Sequence, residues 1–170
     1  FNSSIYYIRN YSLNPGDGIP TLMRSEFDIA GGVLAHQPAQ ALIEGVDAMR
    51  FEFGVDNLSK TGAVVNYASA IVWADPAART TPTNRGDGSP DGAFVRCTAS
   101  TPCSVDQLAN ATAVRVHLLV RNLTPTQGYT DTKTYSLGAV NLGPFNDNFK
   151  RHVFSTTVRL VNISARRETP

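Results

Sequence analysis

The sequence predicts an α+β fold that is predominantly antiparallel β, with one or two short helices. Several segments alternate apolar and polar residues with a period of two, and clusters of turn-forming residues separate these segments. One helix is predicted by Ser104, which stands three positions before Gln107 in the pattern of a capping box. The chain has 170 residues, of which 42% are apolar and 17% charged, so we expect a single globular domain over residues 1–170.

The first two strands are predicted to form a hairpin over residues 5–24. Ile5-Tyr6-Tyr7-Ile8-Arg9 is aromatic and β-branched, as strands are. A concentrated turn signal at residues 14–20 follows, and Thr21-Leu22-Met23-Arg24 returns as the second strand. Residues 33–40 remain ambiguous between strand and loop.

Residues 42–56 are predicted to form a strand pair or one long bent strand. Alternation is clearest from Val46 to Val55, where one face is apolar and is expected to build the core of the sheet: Met49, Phe51 and Phe53. The opposite face is expected to meet water and carries Arg50 and Glu52. A helix over residues 39–49 also fits the spacing, but Gly45 in its middle would cost about 1 kcal/mol. The strand is therefore favoured.

The second half of the chain contains two more clear strands and one weaker strand. Residues 113–122 alternate strongly, residues 152–163 are rich in Val, Thr and Phe, and residues 133–137 fit a strand less well. The capping box predicts a helix over residues 104–110. Residues 138–148 are expected to form a loop.

Two segments between these elements have less definite patterns. Residues 64–73 are apolar and fit either a short helix or a buried strand. Residues 75–91 are rich in Pro, Gly, Thr, Asp and Arg, with almost no large apolar residue. This composition predicts a flexible loop.

The residues do not predict a catalytic or cofactor-binding site. The three histidines lack a neighbouring nucleophile motif or a second ligand at metal-binding spacing, so they are expected to be surface or edge residues: His36, His117 and His152. The carboxylates of Asp47 and Glu52 are expected to face solvent. A net charge of +1 provides no field for nucleic acid or an anionic membrane.

One stretch has the spacing of a metal-binding loop. Asp87, Ser89 and Asp91 place oxygen side chains at alternate positions before a glycine, as calcium loops do. The pattern fails at its far end, where Thr98 stands in place of a bidentate glutamate. These residues are a weak calcium candidate, and no metal site is predicted.

Cys97 and Cys103 are predicted to form a disulfide in an exported protein. They lie six positions apart, and Pro102 can turn the chain back between them. A zinc site would require more ligands than these two cysteines offer. The expected result is a locally closed surface loop.

Four segments, in this order, resemble the PilW family of type IV pilus minor pilins. Each is a strand motif of low specificity, but their order and spacing fit the family across nearly the whole chain: residues 6–24, 42–56, 113–121 and 151–158. The same order is similar, less closely, to the J-type pseudopilins of type II secretion.

The resemblance implies a pilin-like globular sheet domain with a structural role. Family members begin with a short basic leader, a prepilin-peptidase site and a long apolar helix. The N-terminal pilin helix is absent from these residues, so the chain is expected to be a C-terminal portion, attached to the membrane only through an absent upstream helix. No nucleic-acid partner and no cofactor are expected.

The family further implies partners and a location. The protein is expected to join other minor pilins in a complex that primes pilus assembly. It would lie at the pilus tip, where it supports a large tip adhesin, and move from the periplasm of a Gram-negative bacterium to the cell exterior. Twitching, DNA uptake and attachment all remain open as functions of the pilus. Strand addition at a sheet edge and loop packing both remain open as docking modes.

Three alternatives to this interpretation have different consequences. A J-type pseudopilin would serve a type II secretion tip complex. A β-rich extracellular module would bind calcium or another ligand through residues 84–92. A hydrolase is the least favoured, because it requires converging histidine and carboxylate groups that the sequence does not indicate.

Overall fold

The computed structural model describes residues 3–161, except for the side chain of Ala30. The chain divides into two compact units. The first comprises Phe1–Arg50 and His117–Ser155, and the second comprises Phe51–Val116 and Thr156–Pro170. Among the described residues there are eleven strands and one helix: β1 (Ser3–Arg9), β2 (Thr21–Ala30), β3 (Val33–His36), β4 (Gln40–Glu44), β5 (Val46–Val55), β6 (Trp73–Asp75), β7 (Thr80–Pro82), α1 (Val105–Ala109), β8 (Ala111–Arg121), β9 (Tyr135–Leu137), β10 (Val140–Leu142) and β11 (Arg151–Arg159).

The predicted β-rich fold is confirmed, and its first sheet lies in the first unit. β1 pairs antiparallel with β2 from Ser3 opposite Phe27 to Arg9 opposite Thr21, which confirms the hairpin over residues 5–24. On its other side, β2 pairs with β3 along its second half and with β4 along its first half. The ambiguous residues 33–40 thus contain a short strand.

A second sheet has the strand order β11-β8-β5. Within the first unit, the N–H of Arg121 donates to the carbonyl of Gly45 at 2.8 Å. Gly45 has a φ of +79°, and a Cβ there would lie 2.6 Å from the Arg121 carbonyl oxygen. Only glycine fits this position, which explains the break between β4 and β5.

The core of the first unit is small and lies against this sheet. Its buried members come from β5, β8 and the β9–β10 hairpin, with two half-buried residues packed on them: Ala48, Leu119, Tyr135 and Leu137, with Leu142 and Val153. The predicted loop over residues 138–148 contains β10, whose pairing with β9 positions two of these core residues.

The second unit holds the predicted helix and the long loops. Ser104 caps α1: its Oγ accepts from the Gln107 N–H at 3.1 Å, and the Gln107 side chain accepts from the Ser104 N–H at 2.9 Å, so the capping-box prediction is confirmed. Residues 75–91 contain β7, which pairs with β6, while their flexibility stays a prediction. No described helix is long and apolar enough to cross a membrane.

Two expectations about the interior were wrong. In β5 the buried face carries Val46, Ala48 and Glu52, whereas Phe51 is 40% exposed. Small residues on that face permit close packing: a Cβ on Gly54 would lie 2.7 Å from Pro90. Residues 64–73 also form neither a helix nor a buried strand, and Val64 is 75% exposed.

Candidate functional site

A buried arginine in the first unit organises the most strongly connected group of charges. The side chain of Arg151, which is 2% exposed, lies at the start of β11 and contacts carboxylates from β5 and from two loops. Its Nε lies 2.7 Å from Asp47, its Nη1 lies 2.8 Å from Asp131, and its Nη2 lies 2.6 Å from Asp147. We call these four residues the Arg151 cluster.

Aromatic residues complete the Arg151 cluster. The hydroxyls of Tyr135 and Tyr129 donate to Asp131 at 2.8 and 3.1 Å. The guanidinium carbon of Arg151 lies 3.9 Å from the ring centroid of Phe145, within the range of a cation–π contact. The fully buried Asp131 carboxylate thus accepts from three donors, as a buried charge requires.

The pKa shifts show how these contacts balance burial. Burial acts to raise the pKa of Asp131, but hydrogen bonds from Tyr135, Arg151 and Tyr129 outweigh it and hold the pKa below its ordinary value. The hydrogen bond from Arg151 lowers the pKa of Asp147 against the effect of burial. Burial and the adjacent Asp131 carboxylate raise the pKa of Tyr135, which keeps its hydroxyl protonated as a donor. These shifts keep Asp131 and Asp147 ionised as acceptors and Tyr135 protonated as a donor.

Sequence reasoning missed the Arg151 cluster and misjudged one of its members. Asp47 was expected to face solvent, but its side chain is only 14% exposed and is ion-paired. Glu52, also expected in solvent, is 4% exposed. The only local signal was the spacing of four between Asp147 and Arg151, because the other partners lie 20 and 104 positions from Arg151 in the chain.

The histidine expectation was wrong for one residue. His117 is 6% exposed, and its Nδ1 lies 2.6 Å from the Ser155 hydroxyl on the neighbouring strand. His36 and His152 are exposed, as expected. No described group brings together three or more His, Cys, Asp or Glu side chains in a position to hold a metal ion.

In the second unit, the residues of the calcium candidate are used to fasten their own loop. The Asp91 carboxylate accepts from the backbone N–H groups of Asn57 and Leu58 at 2.8 and 2.7 Å. Asp87 accepts from the Ser89 N–H at 2.9 Å. The carboxylates of Asp87 and Asp91 therefore hold the backbone of this loop in place.

A carboxylate from outside this loop also holds it in place. Asp56, at the end of β5, is fully buried and accepts from the Gly88 N–H at 2.8 Å. A Cβ on Gly86 would lie 2.2 Å from Asp56, so the backbone of the loop rests directly on this carboxylate. Also in the second unit, Cys97 and Cys103 form a disulfide with Cα atoms 5.0 Å apart.

The first sheet carries an unusual edge at β1. This strand pairs with β2 on one side, and no described strand lies on its other side. Its apolar side chains are exposed on both faces: Ile5 47%, Tyr6 47% and Tyr7 38%. Unpaired backbone groups flanked by apolar side chains are suited to accept a strand from another protein.

The first unit therefore combines buried ion pairs with an exposed apolar strand edge. The family model of Type IV pilus-assembly protein W matches residues 5–162. The chain therefore belongs to the PilW family of type IV pilus assembly proteins, a structural rather than an enzyme family. No curated protein and no solved structure matches it.

Membership establishes the general role and location. The protein takes part in type IV pilus assembly and is associated with the pilus, in the periplasm or outside the cell. The predicted resemblance is thereby confirmed over the region from β1 to the end of β11.

Proposed function

We propose that this protein is a minor pilin that docks to its neighbours through the free edge of β1. It joins other minor pilins in a complex that primes pilus assembly, lies at the pilus tip and supports a large tip adhesin. The observation that carries the proposal is the exposure of Ile5, Tyr6 and Tyr7 along an edge with no described neighbour.

The edge of β1 carries few of the features that discourage pairing. Charged residues and prolines are the usual protective devices on edge strands. Pro38, for example, lies between β3 and β4. In β1 the only charge is Arg9, at the last position. An unprotected edge of this kind is characteristic of a surface that is covered in the assembled state.

The geometry of β1 also specifies the kind of strand that fits. Successive side chains alternate between faces, so Ile5 and Tyr7 lie on one face and Tyr6 and Ile8 on the other. An added strand would place its own side chains beside both sets. We therefore expect the partner to contribute an extended segment that is apolar on both faces.

Co-purification of the pilus minor pilins with this protein tests the proposal. Tyr6→Lys places a charge on the free edge, so we expect it to reduce recovery of the partners at least tenfold. Leu13→Lys is the control, because Leu13 is 84% exposed and lies outside the strands. Unchanged recovery with Tyr6→Lys would refute docking at β1.

The same co-purification, analysed by mass spectrometry, also tests the partner class. We expect minor pilins and an adhesin in the recovered complex. Recovery of type II secretion pseudopilins in their place would refute the tip-complex proposal. Immunogold labelling along the whole pilus shaft would contradict the tip position.

A further inference from the structure

The second unit contains a cleft with the size and lining of a small-ligand site. Its volume is 480 Å³, within the range of about 300–1,000 Å³ typical of such sites. One wall is the irregular segment 64–68, and the other is the C-terminal end of α1. Neither the family nor the docking edge at β1 accounts for this cleft.

The wall formed by residues 64–68 is held in place although it has no regular secondary structure. The N–H of Val65 donates to Asn57 at 3.1 Å, and that of Asn66 donates to Asn84 at 3.0 Å. Arg85 donates to the carbonyls of Asn66 and Ser69 behind the wall. The cleft is therefore preformed, which reduces the entropic cost of binding a ligand.

The polar groups of the cleft define the chemistry of its ligand. Asn57 supplies an amide, which both donates and accepts hydrogen bonds, and Asp106 supplies a carboxylate acceptor. The amide oxygen of Asn66, also in the lining, accepts from the Ala68 N–H at 3.0 Å. Among the described residues, the side chains of Asn57 and Asp106 make no hydrogen bond or ion pair. No Lys or Arg is among the lining residues, so an anionic ligand would meet the Asp106 carboxylate. The guanidinium of Arg85 lies 5.3 Å from the centroid of the Tyr67 ring, where it donates to the carbonyls of Asn66 and Ser69.

The apolar part of the lining includes an aromatic ring. Tyr67 is 42% exposed, and its hydroxyl accepts from the Gly86 N–H at 3.0 Å, which fixes the ring position. Val64, Val65, Ala68 and Ala109 complete the apolar surface. A fixed ring beside amides and a carboxylate suits a ligand with an apolar C–H face and several hydroxyl groups. We propose that this cleft binds a short uncharged saccharide.

Heteronuclear NMR on the 170-residue chain tests this site directly. Titration with lactose and with N,N′-diacetylchitobiose is expected to shift backbone amide signals of residues 57, 64–68 and 106–110. Sialyllactose, which is anionic, is expected to bind at least tenfold more weakly than lactose. Tighter binding of sialyllactose than of lactose would overturn the assignment of an uncharged ligand.

A variant that fills the cleft distinguishes binding at this site from weak binding elsewhere on the surface. Val64→Trp should reduce affinity for the bound saccharide at least tenfold, because Val64 lies in the wall and is exposed enough to accept a larger side chain without disturbing a core. Val33→Trp is the matched control: Val33 is 65% exposed and lies on β3. Equal binding by both variants, or no shift with either neutral saccharide at 10 mM, a concentration on the order of a weak Kd, would overturn the proposal.

Discussion

Removal of Arg151 should be among the most damaging single changes in the first unit. Arg151→Ala leaves the fully buried Asp131 carboxylate without its cation. It also removes one cationic partner from Asp147 and one from Asp47, which keeps its pair with Arg121 at 3.7 Å. Loss of one partner from a buried ion pair costs about 3–5 kcal/mol. For a chain of this length, that free energy corresponds to a fall in Tm of roughly 6–20 °C.

Urea unfolding followed by circular dichroism measures this loss. Arg24→Ala is the control, because its pair with Glu26 is solvent-exposed and exposed pairs contribute about 0–1 kcal/mol. Adding Asp131→Asn to Arg151→Ala should recover about 1–3 kcal/mol, since the uncompensated charge is then removed. A loss below about 1 kcal/mol for Arg151→Ala, or no recovery in the double variant, would refute the role assigned to the cluster.

Three further predictions concern the loops and the pH dependence. Gly86→Ala should destabilise the protein by roughly 1–3 kcal/mol, because its Cβ would collide with Asp56. Ser89→Ala, at an exposed position of the same loop, should change stability by less than about 0.5 kcal/mol. Equal urea midpoints for the two variants would contradict this packing. Replacing both Cys97 and Cys103 with serine should lower the free energy of unfolding by about 2 kcal/mol, because the short loop is no longer closed. Urea unfolding against the oxidised wild type measures this change, and an unchanged midpoint would count against a stabilising disulfide. The folded-state pKa values of Asp131 and Asp147 lie below the ordinary carboxyl value of about 4. Their contribution to stability is therefore complete above that pH and is lost as the pH falls through the folded-state values. In urea titrations between pH 7 and about 2, Asp147→Asn should lose less stability on acidification than the wild type, and an identical slope would contradict the shift.

Local patterns predicted the elements of the fold well. Alternation and turn residues predicted the hairpin of β1 and β2 and the strands β5, β8 and β11. The capping box of Ser104 and Gln107 predicted the start of α1. These signals act over neighbouring residues, so a sequence displays them directly. The buried face of β5 could not be predicted, because alternation distinguishes the two faces of a strand without showing which one is covered by neighbouring elements.

The site was less predictable because it depends on contacts distant in sequence. Arg151 contacts Asp47 across 104 positions, and the Nδ1 of His117 contacts the Ser155 hydroxyl across 38 positions. The carboxylates of Asp87 and Asp91 fitted a metal-loop pattern, yet both accept from backbone N–H groups. Local spacing alone cannot distinguish a carboxylate that binds a cation from one that anchors a turn.

The open edge of β1 has a consequence for the life of the subunit before it is assembled. One strand edge can accept only one further strand, so the edge would be fully used by a single partner, giving a ratio of one to one at this surface. Until that partner arrives, any extended apolar chain competes for the same hydrogen bonds. The amount of partner should therefore determine how much of the protein stays in solution. Protein produced without the partner should aggregate faster as its concentration rises.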